Sequence, residues 1–383
     1  MKTFLLTLCL LAAALPAAGC SPEEPVELRG VWLTNVDSRV LQSRESIAEA
    51  MQFLRDHHFN VVYPVVWNKG VTLYPSAVMD SVFGIRIDTM YRGRDPLAEV
   101  VEEAHRRGIA VIPWFEFGFS SSYKLGGGHL LARKPHWAAQ DARGDLLTKN
   151  GFEWMDAYNP EVQEFLLAMI REVAAGYDVD GVQGDDRLPA QPSEGGYSPF
   201  TRNLYREQHG GQEPPADFRD PAWLRWRAEI LNAYAGRIYR EVKAIKPGLL
   251  VSWSPSVYPW AYEEYLQDWP AWVKAGHAEL VHPQVYRYSL EEYRSTLDTQ
   301  TPDALQLPGS GKLLYPGILI SLGPYLIPEE YLLGAVAYNR ARGFQGEVFF
   351  FYEGLRREND RVANALLRTH YAKPARLPFP TRF

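Results

Sequence analysis

Cysteine is nearly absent from this sequence, which contains two cysteines in 383 residues. So few thiols exclude a disulfide framework and a zinc site built from cysteine. The nine histidines form no pair at the spacing of a metal site, so we predict no metal and no cofactor. The sequence also lacks a Gly-x-Ser-x-Gly elbow, which disfavours a serine hydrolase of that type.

Charge of one sign is not concentrated along the chain. The 40 Lys and Arg residues stand against 46 Asp and Glu residues, a net charge of −6, and there is no long basic run. This balance argues against a nucleic-acid partner, because such a partner is bound by neutralising its phosphates.

Hydrophobic runs long enough to span a bilayer are lacking as well. The apolar stretch from Phe4 to Leu15 is too short for a permanent membrane helix. It follows Lys2 and ends in small residues before Cys20, so it is typical of a signal peptide over residues 1–20. Its Gly-Cys end resembles a bacterial lipoprotein signal, in which the cysteine carries lipid; the alternative is an ordinary secretory signal cut nearby.

An exported, anchored protein is the prediction that follows from this leader. Residues 21–27 form a Pro-rich acidic tether after the predicted lipidation site, Cys20. We expect the mature protein in the cell envelope, bound to a membrane through its lipid anchor, at the outer membrane and facing the periplasm. No oligomeric state follows from the sequence.

Aromatic residues are abundant: 11 Trp, 22 Tyr and 17 Phe make up 13% of the chain. The apolar fraction of 46% is that of a globular protein. A large core absorbs many aromatic rings, but such an excess also suits a surface that stacks on sugar rings.

Short β-rich runs alternate with longer amphipathic stretches after residue 27. The strand-like runs are 30–36, 60–67, 109–117, 179–185, 249–254, 280–286, 314–321 and 346–352. The helix-like stretches are 43–57, 95–107, 160–176, 221–245, 261–275, 289–298, 328–342 and 358–370. This alternation predicts an α/β fold, a (β/α)8 TIM barrel in one domain over residues 28–383. A doubly wound open sheet is the alternative, but its glycine-rich phosphate loop after the first strand is missing.

Polar residues follow the predicted strands, where a barrel carries its chemistry. The strand ends supply Asn35, Asp37, Asn68, Lys69, Glu116, Asp185, Asp186, Ser254, Gln284, Tyr286, Ser321 and Glu353. The longest connections, 69–94, 118–158 and 187–220, also follow strands. We expect them to form the walls of a cleft.

Adjacent aspartates end the fourth predicted strand. Alternation along that strand directs Gln183 and Asp185 towards the barrel axis, where an acidic side chain is costly unless paired or solvated. Asp186 points away unless the strand has already ended. Gly181 and Gly184 leave room beside the pair, so we predict that Asp185 is catalytic, with Asp186 as a second candidate. Helix capping or loop hydrogen bonding is the alternative.

Two further carboxyl groups follow strands. Glu116 shares a strand face with Ile112 and Trp114, and burial beside aromatic rings raises the pKa of a carboxyl, as a general acid requires. A structural bond from Glu116 to a neighbouring Arg or Tyr is the alternative. Glu353 is a third catalytic candidate on the same argument.

Several side chains near the strand ends are predicted to bind substrate. Trp67, Trp114, Trp253 and Tyr286 are candidate stacking platforms, with core packing as the alternative for each. His282, Gln284 and Tyr286 alternate on the sixth strand towards the axis, and all three are predicted to bind substrate, with filling of the barrel as the alternative for His282. Gln183 and Arg187 complete this set of candidates.

Four segments resemble motifs of a known protein family. They are Leu28-Arg29-Gly30-Val31-Trp32-Leu33-Thr34-Asn35, Ile112-Pro113-Trp114-Phe115-Glu116-Phe117-Gly118, Tyr177-Asp178-Val179-Asp180-Gly181-Val182-Gln183-Gly184-Asp185-Asp186-Arg187-Leu188-Pro189 and His282-Pro283-Gln284-Val285-Tyr286. Through them the chain resembles the exported glycosyl-hydrolase-like ten family over about residues 27–355. The long fourth-strand motif is the most specific of the four.

The resemblance implies a (β/α)8 glycosidase of the bacterial envelope, with peptidoglycan glycan stripped of its peptides as a known type of substrate. It also implies that Asp185 occupies the acidic position usually suspected in the family, and that Glu116 is a rim carboxylate of one subgroup. Two residues depart from the family pattern: Gly184 replaces a frequent bulky residue, and Arg187 replaces a frequent aromatic residue or histidine.

We therefore expect glycoside hydrolysis by a pair of carboxyl groups, with Asp185 ionised and Glu116 as the proton donor. A separation of about 5 Å between them would imply retention of configuration, and roughly 6.5–9.5 Å inversion. In a variant mechanism, a 2-acetamido group of the sugar attacks while Asp185 and Asp186 orient it and donate the proton.

Two other functions remain open from the sequence. One is a glycan-binding lipoprotein that kept the barrel and lost catalysis, since a fold does not establish a function. The other is a hydrolase of an exported polysaccharide unrelated to the cell wall.

Overall fold

Eight parallel strands form the centre of the molecule. The computed structural model describes residues 24–308 and 313–381, so the predicted signal peptide, Cys20 and residues 21–23 lie outside the described residues. The barrel strands are β1 (Leu28–Leu33), β2 (Val61–Pro64), β3 (Ala110–Val111, continued by Trp114–Phe115), β4 (Gly181–Gly184), β5 (Leu250–Trp253), β6 (Leu280–Val281), β7 (Gly317–Leu319) and β8 (Gly346–Phe350).

The strands close into a barrel. One sheet has the order β7-β8-β1-β2-β3 and the other the order β6-β5-β4-β3, with all neighbours parallel. The two halves of β3 belong to one sheet each, which joins the sheets on one side. Parallel bridges from Val281 to Leu314 and from Gln284 to Gly317 close the other side. The predicted (β/α)8 fold is therefore confirmed.

Helices surround the barrel at the predicted places. They are α1 (Arg44–Asp56), α2 (Pro96–His105), α3 (Pro160–Gly176), α4 (Pro221–Ile245), α5 (Trp260–Tyr265, followed by Trp269–Lys274), α6 (Leu290–Asp298), α7 (Glu329–Ala341) and α8 (Tyr352–Arg368). The predicted start signals act as caps, because Asp95, Asn159 and Asp220 each accept a backbone N–H of the first helical turn.

Two helices differ from their predicted bounds. The predicted helix 261–275 is two short helices, because Leu266 adopts a left-handed conformation and Pro270 suits the first turn of a new helix. The last helix begins at Tyr352 rather than at residue 358, and residues 357–360 interrupt it with non-helical backbone.

Polar side chains inside the barrel satisfy one another. Trp32 Nε1 donates to Gln183 Oε1 at 2.7 Å, and Gln183 Nε2 donates to Ser252 Oγ at 2.8 Å. His282 Nδ1 donates to the Tyr315 carbonyl at 3.0 Å, so its Nε2 accepts the Tyr63 hydroxyl at 2.8 Å. These bonds offset the cost of burying polar groups and fill the barrel below the mouth.

The long connections after β2, β3 and β4 carry their own elements. These are the hairpin strands Trp67–Asn68 and Val71–Thr72, the three-stranded sheet Ser120–Tyr123, Thr148–Lys149 and Phe152–Trp154, the helices Ala77–Phe83, Gly128–Arg133 and Pro199–Gln208, and the 3-10 turns Thr89–Tyr91 and Pro135–Trp137. A further hairpin, Ser321–Leu322 and Tyr325–Leu326, follows β7. All of them lie on the side of the barrel where the strands end.

The opposite end of the barrel holds both ends of the described chain. Val26 bridges Arg376 in parallel register, and Glu27 forms ion pairs with Arg29 and Arg340. The last residues of the predicted tether are thus bonded to the barrel, and chain contacts begin before Leu28. Within residues 24–308 and 313–381, no helix combines the length and apolar character needed to cross a bilayer.

A buried arginine fixes the connection after β4. Arg227, on α4, donates to the carbonyls of Ser193 and Gly195 at 2.5 and 2.6 Å and to that of Phe218 at 2.6 Å. Its side chain is 0% exposed, so water does not replace these bonds if the side chain is removed.

We predict that Arg227→Met lowers the free energy of unfolding by roughly 2–4 kcal/mol, since it leaves buried carbonyls without donors. Denaturant unfolding measures this change. Arg225→Met is the matched control, because Arg225 is exposed on the same helix. Equal stability of the two variants would contradict this role for Arg227.

Candidate active site

Three carboxyl groups surround one guanidinium at the mouth of the barrel. Arg187 Nη2 lies 3.2 Å from Asp185 Oδ2 and 3.8 Å from Glu116 Oε1, and Nη1 lies 3.1 Å from Asp186 Oδ1. We call these four residues the carboxyl cluster. It brings together three of the four predicted catalytic residues, from the ends of β3 and β4.

The carboxyl groups differ in their access to solvent. The side chain of Asp185 is 3% exposed, that of Glu116 15% and that of Asp186 27%. Because Asp185 and Glu116 contact the same nitrogen, their nearest oxygens lie within about 7 Å of each other. Both groups are therefore within reach of one glycosidic bond.

Arg187 is held in place from several directions. Its Nε donates to the Glu116 carbonyl at 3.1 Å, and its guanidinium carbon lies 4.7 Å from the centre of the Phe152 ring. Its carbonyl accepts the Phe119 N–H at 2.9 Å. Gly118 permits this approach, because a Cβ there would lie 2.0 Å from the Arg187 oxygen. Arg187, predicted to bind substrate, thus organises the carboxyl groups.

Asp185 receives donors from three other elements. Ser254 Oγ and Gln284 Nε2 each donate to its Oδ1 at 3.0 Å, while Arg187 binds its Oδ2. Gln267 Nε2 also donates to the Asp185 carbonyl at 2.8 Å. Gln284, predicted to bind substrate, is therefore a partner of Asp185. Sequence reasoning missed Gln267, which no strand pattern marks because it lies between two short helices.

Glu116 has fewer partners. Asn68 Nδ2 donates to its Oε2 at 2.9 Å, and the same amide donates to Asn35 Oδ1 at 2.8 Å. Burial raises the pKa of Glu116 to about 7, which is the predicted direction. The charge of Asp186 also raises this pKa, whereas the charges of Arg187 and Lys69 lower it.

The positive charge in the cluster does not balance the negative charge. Burial raises the pKa of Asp185 well above its usual range, and the charges of Asp186 and Glu116 raise it further, against the effect of Arg187. The pKa values of Asp185 and Glu116 therefore both rise, although the sequence predicted an ionised Asp185. When the pKa values of two neighbouring carboxyl groups are both raised, the two groups titrate as a pair. The cluster therefore retains a proton near neutral pH.

Two predicted stacking residues lie in the core, which contradicts that role. The Trp67 ring is 0% exposed, packs on Phe165 of α3 and donates its Nε1 to the Gly118 carbonyl. The Trp253 ring is 2% exposed and packs on Trp272, because Ser252 takes the inward position on β5. Trp253 also fills the space beside Gly184, where a Cβ would lie 2.6 Å from its ring.

Gln183 and His282, both predicted to bind substrate, lie inside the barrel instead. Both side chains are 0% exposed and fully bonded within the barrel, so neither contacts substrate. Burial lowers the pKa of His282 to about 3, which keeps its ring neutral. Both residues fill the barrel, the alternative that the sequence had left open for His282.

Two other predicted stacking rings lie at the floor of the mouth. Trp114 is 3% exposed and packs between Trp32 and Phe350, so it presents no open face, contrary to prediction. Tyr286 is partly exposed, and its ring centre lies 5.4 Å from that of Phe350. The charges of the three carboxyl groups add to burial in raising the pKa of Tyr286, which borders the cluster.

Among the described residues, no hydrogen bond or ion pair joins Glu353, the fourth predicted catalytic residue, to the carboxyl cluster. Its Oε1 accepts the Ser38 hydroxyl at 2.8 Å and the Arg39 N–H at 3.3 Å. These bonds hold the connection after β1. The side chain lines a cleft of about 470 Å³ with Asn35, Asp37, Ser38, Arg39 and Gln42.

In the part of the chain that the structure describes, no group of three His, Cys, Asp or Glu side chains is arranged to hold a metal ion. A cavity of about 950 Å³ lies between residues of α1, α2 and the connection after β2. It contains none of the predicted site residues.

The sequence of this chain matches one protein family and is similar to individual glycosyl hydrolases. The sequence profile of the family described as glycosyl hydrolase-like 10 matches residues 27–308. Glycosyl hydrolase DigH of Escherichia coli strain K12 is 26% identical over 320 residues, 71% of this chain and 69% of that protein. Glycosyl hydrolase YngK of Bacillus subtilis strain 168 is 24% identical over 389 residues, 92% of this chain and 73% of that protein.

Solved structures share the fold. The glycoside hydrolase domain of PgaB (BpsB) from Bordetella bronchiseptica superposes with a TM-score of 0.63 at 14% identity, covering 89% of this chain and 99% of that domain. At this level of identity the likeness establishes the barrel fold.

We predict that substitutions around Glu116 move its pKa in opposite directions. Asp186→Asn removes a neighbouring negative charge and lowers the pKa, whereas Arg187→Gln removes a positive charge and raises it. Infrared titration of protein labelled with ¹³C-glutamate measures both shifts, with Glu116→Gln identifying the band. Shifts of the same sign in both variants would contradict the proposed charge arrangement.

Proposed function

The chain belongs to the glycosyl hydrolase-like 10 family, and we propose that it hydrolyses glycan strands of the bacterial cell envelope, specifically peptidoglycan glycan without its peptides. Its membership and its relatives make it a glycoside hydrolase. The observation that carries the proposal for its active site is the carboxyl cluster, in which Glu116 and Asp185 share one guanidinium nitrogen at the mouth.

Glu116 is the proton donor in this proposal. Its pKa of about 7 keeps much of it protonated near neutral pH. Asp185 receives side-chain donors from Ser254, Gln284 and Arg187, which favour a carboxylate, whereas the side-chain hydrogen bonds of Glu116 come from uncharged Asn68 and Thr34. Of the two carboxyl groups, Glu116 is thus the better site for the shared proton.

The low exposure of Asp185 favours the variant assisted by the substrate. Peptidoglycan sugars carry 2-acetamido groups, and the acetamido oxygen attacks the anomeric carbon while Glu116 protonates the leaving oxygen. Asp185 and Asp186 orient the acetamido group and stabilise its developing positive charge. Water then attacks the anomeric carbon, the bond from that carbon to the acetamido oxygen breaks, and a proton of the water passes to Glu116, which completes hydrolysis.

Export and lipid anchoring are part of the proposal. They rest on the signal-like residues 1–20 and the Gly-Cys end at Cys20. The bonded residues 26–27 lie at the end of the barrel opposite the carboxyl cluster. An anchor at Cys20 therefore directs the mouth away from the membrane and towards the glycan.

We predict that Glu116→Gln and Asp185→Asn each lower turnover of peptide-free peptidoglycan strands by roughly 10²–10⁴-fold without unfolding the protein. Release of new reducing ends measures turnover, and thermal unfolding checks the fold. Glu353→Gln is the matched control and keeps turnover within about threefold, because Glu353 lies outside the cluster.

A panel of exported polysaccharides tests the substrate in the same assay. Cleavage of another polysaccharide with no cleavage of peptide-free strands would overturn the proposed substrate. Near-normal turnover by Asp185→Asn would overturn the proposed site.

A further inference from the structure

Exposed aromatic side chains gather at the mouth of the barrel. Among the described residues, three aromatic side chains are exposed: Tyr123 at 46%, Trp260 at 45% and Tyr288 at 59%. They lie in the connections after β3, β5 and β6. Large apolar rings on a surface indicate contact with a ligand or partner when they cluster beside a site.

Two of these rings belong to one surface. Trp260 packs on Tyr265 with ring centres 5.3 Å apart, and Tyr123 packs on Phe152 with ring centres 5.0 Å apart. Asn150 joins the two pairs, since its Nδ2 donates to the Tyr265 hydroxyl at 2.9 Å and its neighbour Gly151 lies so close to Tyr123 that a Cβ there would be 2.7 Å from the ring. We call Tyr123, Phe152, Trp260 and Tyr265 the aromatic rim.

The aromatic rim is fixed to the carboxyl cluster by hydrogen bonds. The Gln191 N–H donates to the Tyr265 carbonyl at 3.0 Å, and Gln267 Nε2 donates to the Asp185 carbonyl at 2.8 Å. On its other side the guanidinium of Arg187 lies over the Phe152 ring at 4.7 Å. The rim therefore keeps its position relative to the carboxyl groups.

Supporting contacts make the rim rigid. Trp154, which is buried, packs on Tyr265 with ring centres 5.9 Å apart. Lys149 Nζ lies 4.8 Å from the centre of the Tyr265 ring and bonds to Glu264 Oε2 at 2.7 Å. Rings held this way lose little conformational freedom when a ligand binds.

We propose that Trp260 and Tyr123 form a distal subsite that binds sugar rings of the glycan strand beyond the bond that is cleaved. The apolar C–H face of a pyranose packs on an exposed aromatic ring, and a strand that occupies the carboxyl cluster continues onto the adjacent rim. The inference rests on the proposed function. It predicts that the enzyme prefers long strands to short fragments.

The test compares long peptide-free peptidoglycan strands with a tetrasaccharide of the same glycan. Trp260→Ala and Tyr123→Ala each lower kcat/KM on long strands by about tenfold and change it less than about twofold on the tetrasaccharide. Trp260→Phe, which keeps a ring, restores most of the loss. Tyr288→Ala is the matched control, because Tyr288 packs on Tyr325 outside the rim, and it retains wild-type rates on both substrates.

Equal losses on both substrates, no loss on either, or the same effect in Tyr288→Ala would overturn the distal subsite. Binding of the same long strands to Asp185→Asn, with and without Trp260→Ala, separates this inference from the proposed function. If Trp260→Ala weakens binding of the strands, the subsite is supported whether or not the wild-type enzyme cleaves them. If the wild-type enzyme does not cleave the strands, the proposed function is overturned, but the subsite is not.

Discussion

One guanidinium faces three carboxyl groups at the mouth of this barrel, and that imbalance of charge governs the chemistry of the site. Burial makes ionisation of Asp185 and Glu116 costly, the charge of Asp186 adds to that cost, and the single positive charge of Arg187 offsets part of it. A proton is therefore retained near neutral pH. Glycosidic cleavage needs such a proton beside a second carboxyl group, which is why we propose the cluster as the active site.

The position of Arg187 depends on loops that are far apart in the chain. Gly118 lets the backbone approach the arginine, Phe152 packs on its guanidinium, and Gln267 bonds the turn that begins at Asp185. The same loops carry the aromatic rim. The carboxyl cluster and the aromatic rim are thus linked by loops on the ends of β3, β4 and β5, the face of a barrel that commonly carries the active site.

Sequence patterns predicted the barrel and its acidic residues because these depend on local signals. Strand runs, capping residues before prolines and carboxyl groups after strands are all visible within short segments. The stacking residues were harder to predict: Trp67 lies beyond the end of β2, and the inward position of Ser252 turns Trp253 towards the helices. The organising role of Arg187 depends on contacts with residues more than 30 positions away, which local patterns do not show.

A crystal structure of Asp185→Asn with a bound peptide-free peptidoglycan fragment tests the account most directly. We expect a glycosidic oxygen within hydrogen-bond distance of the Glu116 carboxyl and an acetamido group beside Asp186. A fragment seated in the cleft beside Glu353, with no sugar atom in contact with the carboxyl cluster, would contradict it.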